Sequence, residues 1–202
     1  MRRITFDILM ATAGLFLAVT LIAAGGLLTW AHSYIGNEVH SQLAAQQIFF
    51  PPANSKAVAA PEFAAMRQYG GQQLTTGAQA EVYADHFIAN HLKEAGGGKT
   101  YAQLSAEAIA QPKNTALAAQ VATAFKGETL RGLLLNAYAF GTMGMIAGIA
   151  AIAAFVAGAV MLVLSGLGLM HARRTSPATE ILGGHPANGR TPVPAAAPAD
   201  QA

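Results

Sequence analysis

Two apolar stretches decide the fold of this chain: residues 8–30, ILMATAGLFLAVTLIAAGGLLTW, and residues 140–170, FGTMGMIAGIAAIAAFVAGAVMLVLSGLGLM. Neither stretch contains Asp, Glu, Lys or Arg. A bilayer core of about 30 Å needs about 20 apolar residues in a helix, and both stretches reach that length. We therefore predict two transmembrane helices, the first over residues 8–31 and the second inside a longer helix over residues 133–172.

The first stretch could also be a cleaved signal peptide, because Arg2 and Arg3 precede it. Its apolar run, however, exceeds the roughly 7–15 residues that are usual in a signal peptide. Trp30 and Tyr34 then follow, as expected for aromatic side chains at a membrane interface. A retained helix is therefore the favoured interpretation.

The composition excludes several classes of protein. Only 11% of the 202 residues are charged and 53% are hydrophobic, whereas about 25% of a typical soluble domain is charged. The absence of cysteine excludes a disulfide-stapled secreted domain and a thiolate metal site. A net charge of +2 is too small to drive binding to nucleic-acid phosphates. We expect membrane lipids and other integral membrane subunits as partners, and no nucleic acid.

Arginine pairs predict the orientation of the two spans. Arg2 and Arg3 precede the first span, and Arg173 and Arg174 follow the second. The positive-inside rule places both pairs in the cytoplasm. The expected location is the plasma membrane, with both termini cytoplasmic and residues 32–132 extracytoplasmic.

The two cytoplasmic ends differ in length and composition. Residues 1–7 form a short N-terminus, whereas residues 173–202 form a tail rich in Pro and Ala. The tail lacks the apolar periodicity that repays the entropy of ordering, so we predict that it is disordered.

Helical signals dominate the segment between the spans. Residues 34–48 carry apolar side chains near helical spacing and extend the first span outward, until the prolines at 51–52 end that helix. Residues 117–131 can run continuously into the second span. The sequence shows no convincing strand and no internal repeat. The predicted fold class is an all-α membrane protein with two transmembrane helices, a small helical extracytoplasmic domain and a disordered cytoplasmic tail.

The clearest outer helix is predicted over residues 76–95. Its apolar residues follow helical spacing only imperfectly; they are Val82, Phe87, Ile88 and Leu92. Glycines at 96–98 provide its C-terminal stop. A shorter helix follows over residues 100–109, in which Ser105 could cap the next element.

Small residues at four-residue spacing predict close helix packing. The predicted packing positions are Gly144, Gly148, Ala154 and Gly158 in the second span and Gly14 and Ala18 in the first. Small side chains let helix backbones approach closely in a membrane. The sequence leaves two partners open for these positions: the other span of the same chain, or a helix of another subunit.

A polar cluster on the main outer helix is the best candidate for chemistry. Its members are Glu81, Asp85, His86 and His91. The zinc-binding spacing His-Glu-x-x-His is absent, and histidines five residues apart diverge on an α-helix. A solvated polar face is the favoured interpretation, and a metal or proton site is the alternative.

Other motifs lead to no cofactor. The run Gly-Gly-Gly-Lys-Thr at residues 96–100 resembles a phosphate-binding loop, but the required first glycine is replaced by Lys93. His32 and His171 stand at opposite ends of the two predicted spans, so they cannot ligate one haem. No nucleophile–base pattern is present either. We expect no catalytic residue, no cofactor and no bound metal.

Several short motifs, in order, resemble a known family. They are Ser41-Gln42-Leu43, Gln79-Ala80, His91, Gly97-Gly98-Lys99-Thr100-Tyr101-Ala102 and Leu130-Arg131. Together they resemble the small actinobacterial two-span membrane proteins that commonly carry the misleading label aromatic ring-opening dioxygenase. The resemblance covers residues 10–170, apart from an insertion at residues 53–66. It implies an actinobacterial plasma membrane and no established catalytic activity. A non-haem iron site would need two histidines and a carboxylate at one metal, a pattern this sequence lacks.

Three hypotheses for function follow. The first is a non-catalytic accessory subunit that docks on a larger plasma-membrane complex through protein–protein interaction, with a respiratory cytochrome or oxidase supercomplex as the expected host. The second is a membrane-anchored extracytoplasmic sensor or ligand-binding protein. The third, an enzyme, has no nominated activity and is not expected.

Overall fold

The structure of the chain is a computed structural model that describes residues 3–174. These residues are 84% helical and contain no strand, although one isolated antiparallel bridge joins Phe49 and Gln73. The predicted all-α class is therefore confirmed for the part of the chain that the structure describes. The predicted disordered tail, residues 173–202, lies outside the described residues except for Arg173 and Arg174.

Residues 3–174 contain five α-helices and three further helical segments. In chain order they are α1 (Arg3–Ala45), two 3₁₀ segments (Lys56–Val58 and Pro61–Tyr69), α2 (Gly77–Val82), a π-helix (Tyr83–Ile88), α3 (Ala89–Ala95), α4 (Tyr101–Ala110) and α5 (Thr115–Arg174).

Helices α1 and α5 are much longer than a bilayer requires. They contain 43 and 60 residues, which corresponds to about 65 and 90 Å at 1.5 Å per residue. Each is long and apolar enough to cross a membrane. The structure is thus consistent with a two-span membrane protein whose long helices both continue beyond the spans.

Helix α5 begins at Thr115, two residues before the segment 117–131 that the sequence allows to run into the second span, and it is continuous to Arg174. The bound at residue 133, predicted for the helix that contains the span, lies inside this longer helix. The side-chain Oδ1 of Asn114 accepts a hydrogen bond of 3.1 Å from the Leu117 backbone N–H and so caps the first turn. Ser105, the predicted cap, instead lies inside α4.

The described residues divide into two compact units, one comprising residues 3–20 and 157–174 and the other residues 21–156. In the first unit, small residues bring α1 and α5 together. Ala11 and Ala18 are buried, and a Cβ added at Gly168 would lie 3.5 Å from the Ala11 Cβ. A Cβ added at Gly14 would meet the Ser165 hydroxyl.

The second unit contains the main hydrophobic core. Its buried members are Leu43, Phe50, Val58, Phe63, Met66, Leu74, Ala80, Ala84, Ile88 and Leu134. The C-terminal end of α1 contributes Leu43 and α5 contributes Leu134, so the shorter helices pack against both long ones. A smaller cluster of Leu104, Leu117 and Ala124 joins α4 to the start of α5.

A capping box begins α2 and fixes the loop before it. The Thr76 hydroxyl accepts from the Gln79 backbone N–H at 3.3 Å. The buried Gln79 side chain accepts in return from the backbone N–H groups of Thr75 and Thr76 at 2.8 and 3.1 Å, and donates to Gln72 Oε1 at 3.1 Å. Because every polar atom of the buried amide is satisfied, this network is structural.

Candidate functional site

The predicted packing glycines of α5 lie against α1 of the same chain. His32 Nδ1 donates a hydrogen bond of 2.7 Å to the Gly144 carbonyl oxygen. A Cβ added at Gly148 would lie 2.9 Å from that same Nδ1, and one added at Gly144 would lie 3.1 Å from Ile35 Cγ2. The sequence left open whether these glycines contact the other span of the same chain or a helix of another subunit. On this side of Gly144 and Gly148, the contact is with α1 of the same chain.

The remaining predicted packing positions are distributed over both units. In the first unit, Gly14, Ala18 and Gly158 are buried. In the second, Ala154 is half-buried and its neighbour Phe155 fills the space beside Gly25, where an added Cβ would lie 3.0 Å from the ring. Sequence reasoning missed Gly25, although it belongs to the same series of small residues in α1.

A backbone contact between α2 and α5 was also missed. A Cβ added at Gly77 would lie 3.0 Å from the Ala137 carbonyl oxygen and 3.3 Å from the Gly141 Cα. Since a Cβ at Gly141 would in turn lie 3.2 Å from the Gly77 Cα, the two glycines permit one close crossing. The available signal was Gly141, three residues before Gly144 in the same glycine series.

The candidate polar cluster does not converge on one point. Asp85 accepts a hydrogen bond of 2.8 Å from the Arg131 guanidinium. His86 Nδ1 donates to the Glu62 carbonyl oxygen at 2.9 Å, and His91 Nδ1 donates to the Phe87 carbonyl oxygen at 2.7 Å. Glu81 is half-buried. Within residues 3–174, no group of three His, Cys, Asp or Glu side chains could hold a metal ion.

A π-helix explains the imperfect spacing of the apolar residues in this region. The segment Tyr83–Ile88 is a π-helix between α2 and α3, and π-helical hydrogen bonds join residues five apart. The five-residue step from Val82 to Phe87 therefore places both side chains on the same side of the segment. In agreement, Val82, Phe87 and Ile88 all pack in or against the main core.

Aromatic rings form a continuous series through that core. The centroid of Phe50 lies 5.4 Å from Tyr83, Tyr83 lies 4.8 Å from Phe87, and Phe87 lies 4.2 Å from the His91 ring. Burial removes water from the Tyr83 phenol and raises its pKa above the ordinary value of 10.0.

The Tyr83 shift predicts a loss of stability at alkaline pH. The unfolded chain releases this proton near pH 10, whereas the folded chain retains it, so the free energy of unfolding falls as the pH rises above that value. Replacing Tyr83 with phenylalanine removes this contribution. We expect Tyr83→Phe to flatten the alkaline part of the stability profile, measured by denaturant unfolding at several pH values. Equal slopes above pH 10 in both proteins would contradict the assignment.

An apolar groove lies between the C-terminal part of α1 and α5. The lining residues are Tyr34, Ile35, Glu38, Val39, Gln42, Leu43, Gln46, Ile48, Leu130, Leu133, Leu134, Ala137 and Phe140, and the cavity volume is about 480 Å³. Leu43 and Leu134 are buried and form its floor. The Glu38 carboxylate accepts a hydrogen bond of 2.6 Å from the Gln42 side-chain amide on the α1 wall.

Comparisons of the chain with protein-family models, with curated proteins and with solved structures find no match. The geometry of the chain provides two candidate surfaces. One is the glycine contact between α1 and α5, in which both helices belong to the same chain. The other is the groove, where the lining residue Leu133 is exposed.

Proposed function

We propose that this chain is a non-catalytic accessory subunit that docks on a larger complex of the plasma membrane. The two apolar helices are consistent with membrane anchoring. Arg2 and Arg3 before the first, with Arg173 and Arg174 after the second, support cytoplasmic termini under the positive-inside rule. Residues 32–132 then face the extracytoplasmic side.

One observation carries the proposal: large apolar side chains are exposed in the part of the chain that extends beyond the spans. Inside a bilayer such exposure is ordinary, since lipid tails solvate Phe16 and Ile152. The outer part of α5 faces water in this topology, yet Leu133 is 61% exposed and Phe125 57% exposed. Ile109, at the end of α4, is 80% exposed. Leu133 lines one groove together with Leu130 and Phe140, which are also exposed, and contiguous apolar surface in water is typical of a protein–protein contact.

A respiratory cytochrome or oxidase supercomplex is the host we propose. The two helices that could cross a membrane support a membrane complex as the host, and the resemblance to actinobacterial two-span proteins implies a plasma membrane. We propose no catalytic activity. Within the candidate polar cluster, Asp85, His86 and His91 each form a hydrogen bond with a different residue outside the cluster.

Purification in a mild detergent tests the docking proposal. We expect the chain to elute at a mass well above 20.8 kDa together with other integral membrane subunits identified by mass spectrometry. The same subunits should return in stoichiometric amounts when the affinity tag is moved to one of them. A chain that sediments alone as a monomer under conditions that keep known membrane complexes intact would contradict the proposal.

A sensor or ligand-binding protein is the second candidate, and the groove of about 480 Å³ is the observation that favours it, because ligand sites are commonly apolar concavities of that size. In this case the outer segment would bind a ligand and the cytoplasmic tail would relay the signal. Thermal unfolding of the full chain, titrated separately with divalent metals and with envelope phospholipids, distinguishes this function. A shift in the melting temperature with a metal or a phospholipid supports the sensor function. The absence of a shift with every compound tested argues against that function.

A further inference from the structure

The groove between α1 and α5 has the dimensions of a helix-binding site. One wall of the groove, the α1 wall, includes Ile35, Glu38 and Gln42 of α1 and Gln46 in the turn that follows this helix; the α5 wall includes Leu130, Leu133, Ala137 and Phe140. Within each helix, successive members are three or four residues apart, so they form a ridge along it. From residue 34 to its end at residue 45, α1 lines the groove for about 17 Å.

The two walls of the groove differ in chemistry. Leu130, Leu133 and Phe140 are exposed on the α5 wall, whereas Glu38, Gln42 and Gln46 provide polar groups on the α1 wall. Among the residues that line it, Glu38 is the only charged one, and no lining side chain is basic. An occupant that buries the apolar wall therefore gains by carrying a positive charge beside Glu38.

We infer that this groove binds an amphipathic helix of a partner subunit, which presents apolar side chains at three- and four-residue spacing to α5 and a Lys or Arg to Glu38. This inference rests on the proposed accessory function, and it identifies the docking surface and the chemistry of the partner. Binding is driven by burial of apolar surface from water, a force that is not available between helices inside the lipid. Recognition of this kind is helix-in-groove binding.

The direction of the groove favours a helix over a lipid chain. With Trp30 and Tyr34 at the outer membrane interface, the groove runs from Tyr34 and Phe140 away from the bilayer. A phospholipid at that interface keeps its tails on the membrane side, so its acyl chains would have to leave the hydrocarbon core to fill the groove. A partner helix that emerges from the membrane, as α1 and α5 do, reaches the groove without such a cost.

Photo-cross-linking in intact membranes tests the occupant. A benzophenone amino acid is placed at position 133 in the groove and, as the matched control, at position 136, where Asn136 is exposed on the same helix but does not line the groove. We expect an adduct from position 133 only, joined to a partner peptide with apolar residues at helical spacing and a nearby Lys or Arg. An adduct to phospholipid, to a second copy of this chain, or equally from both positions overturns the inference.

Two substitutions test the proposed contacts in the purified complex. Leu133→Asp places a charge on the apolar wall, and Glu38→Lys reverses the charge on the polar wall. We expect each to weaken retention of the partner about tenfold, as substitutions at the centre of an interface do, while Asn136→Asp leaves it unchanged. Thermal unfolding of the isolated variants verifies that they are folded.

The purification and cross-linking experiments distinguish an error in the groove inference from an error in the proposed accessory function. If the complex is recovered but Leu133→Asp and Glu38→Lys retain it as well as the unmodified chain does, docking uses another surface and the groove inference is overturned. If no complex is recovered and position 133 gives no adduct, both proposals fail.

Discussion

Replacement of Gly77 with alanine is expected to destabilise the chain by about 1–3 kcal/mol, the cost of overpacking a close contact. The added Cβ would lie 3.0 Å from the Ala137 carbonyl oxygen, 3.1 Å from the Tyr138 Cα and 3.3 Å from the Gly141 Cα. All three are backbone atoms, so no side-chain rotation can relieve the contact. Helices α2 and α5 would have to move apart, and the adjacent core would lose packing.

Gly132 provides the matched control for this substitution. It lies in α5, and an added Cβ there meets nothing within 4 Å. Because alanine favours the helix over glycine by about 1 kcal/mol, Gly132→Ala should raise the melting temperature while Gly77→Ala lowers it. The measurement is thermal unfolding by circular dichroism in one detergent. A shift of the same sign in both variants would contradict the role assigned to the Gly77–Gly141 crossing.

The long helices were the most predictable part of this fold. Length and hydropathy alone identify a stretch such as residues 8–30 as able to cross a membrane, because the bilayer sets the requirement. The stop at residues 96–98, which the sequence predicted, is equally local, and so is the cap at Thr76, which the sequence analysis did not identify, since the side chains or backbone that end a helix lie within a few residues. Such features need no knowledge of the tertiary contacts.

The contacts between helices were less predictable. Small residues indicate that helices approach closely, but the series at Gly144 and Gly148 is compatible with any partner helix. Its contact with His32 depends on the register of α1 against α5, which no local pattern sets. The five-residue step from Val82 to Phe87 was visible, but an α-helical period of 3.6 residues does not accommodate it.

The groove escaped sequence reasoning for a different reason. Its α1 wall at Glu38 and its α5 wall at Leu133 are far apart in the chain, and each resembles an ordinary helix face when considered alone. Apolar residues near a predicted span are also readily attributed to contact with lipid. The start of α5 at Thr115 shows how much of that helix extends beyond the length a bilayer requires.

Replacement of Gly148 with leucine is expected to have the second large effect, because it acts on the contact between the two long helices. Its Cβ would lie 2.9 Å from His32 Nδ1 and 3.2 Å from His32 Cγ. The whole imidazole would have to leave its position, which breaks the hydrogen bond of 2.7 Å to the Gly144 carbonyl oxygen. The rest of the leucine side chain would then hold α1 away from α5.

We expect Gly148→Leu to lower the free energy of unfolding by about 3 kcal/mol, near the upper end of the cost of overpacking. Gly26→Leu is the matched control, because Gly26 also lies in the second unit and an added Cβ there meets nothing within 4 Å. The His32 Nδ1 proton provides a second measurement by nuclear magnetic resonance: its hydrogen-bonded signal should disappear in Gly148→Leu and persist in Gly26→Leu. If Gly148→Leu kept both its stability and that signal, α1 could not be packed on α5 in the register described, and the small residues of α5 would be free to bind a helix of another subunit.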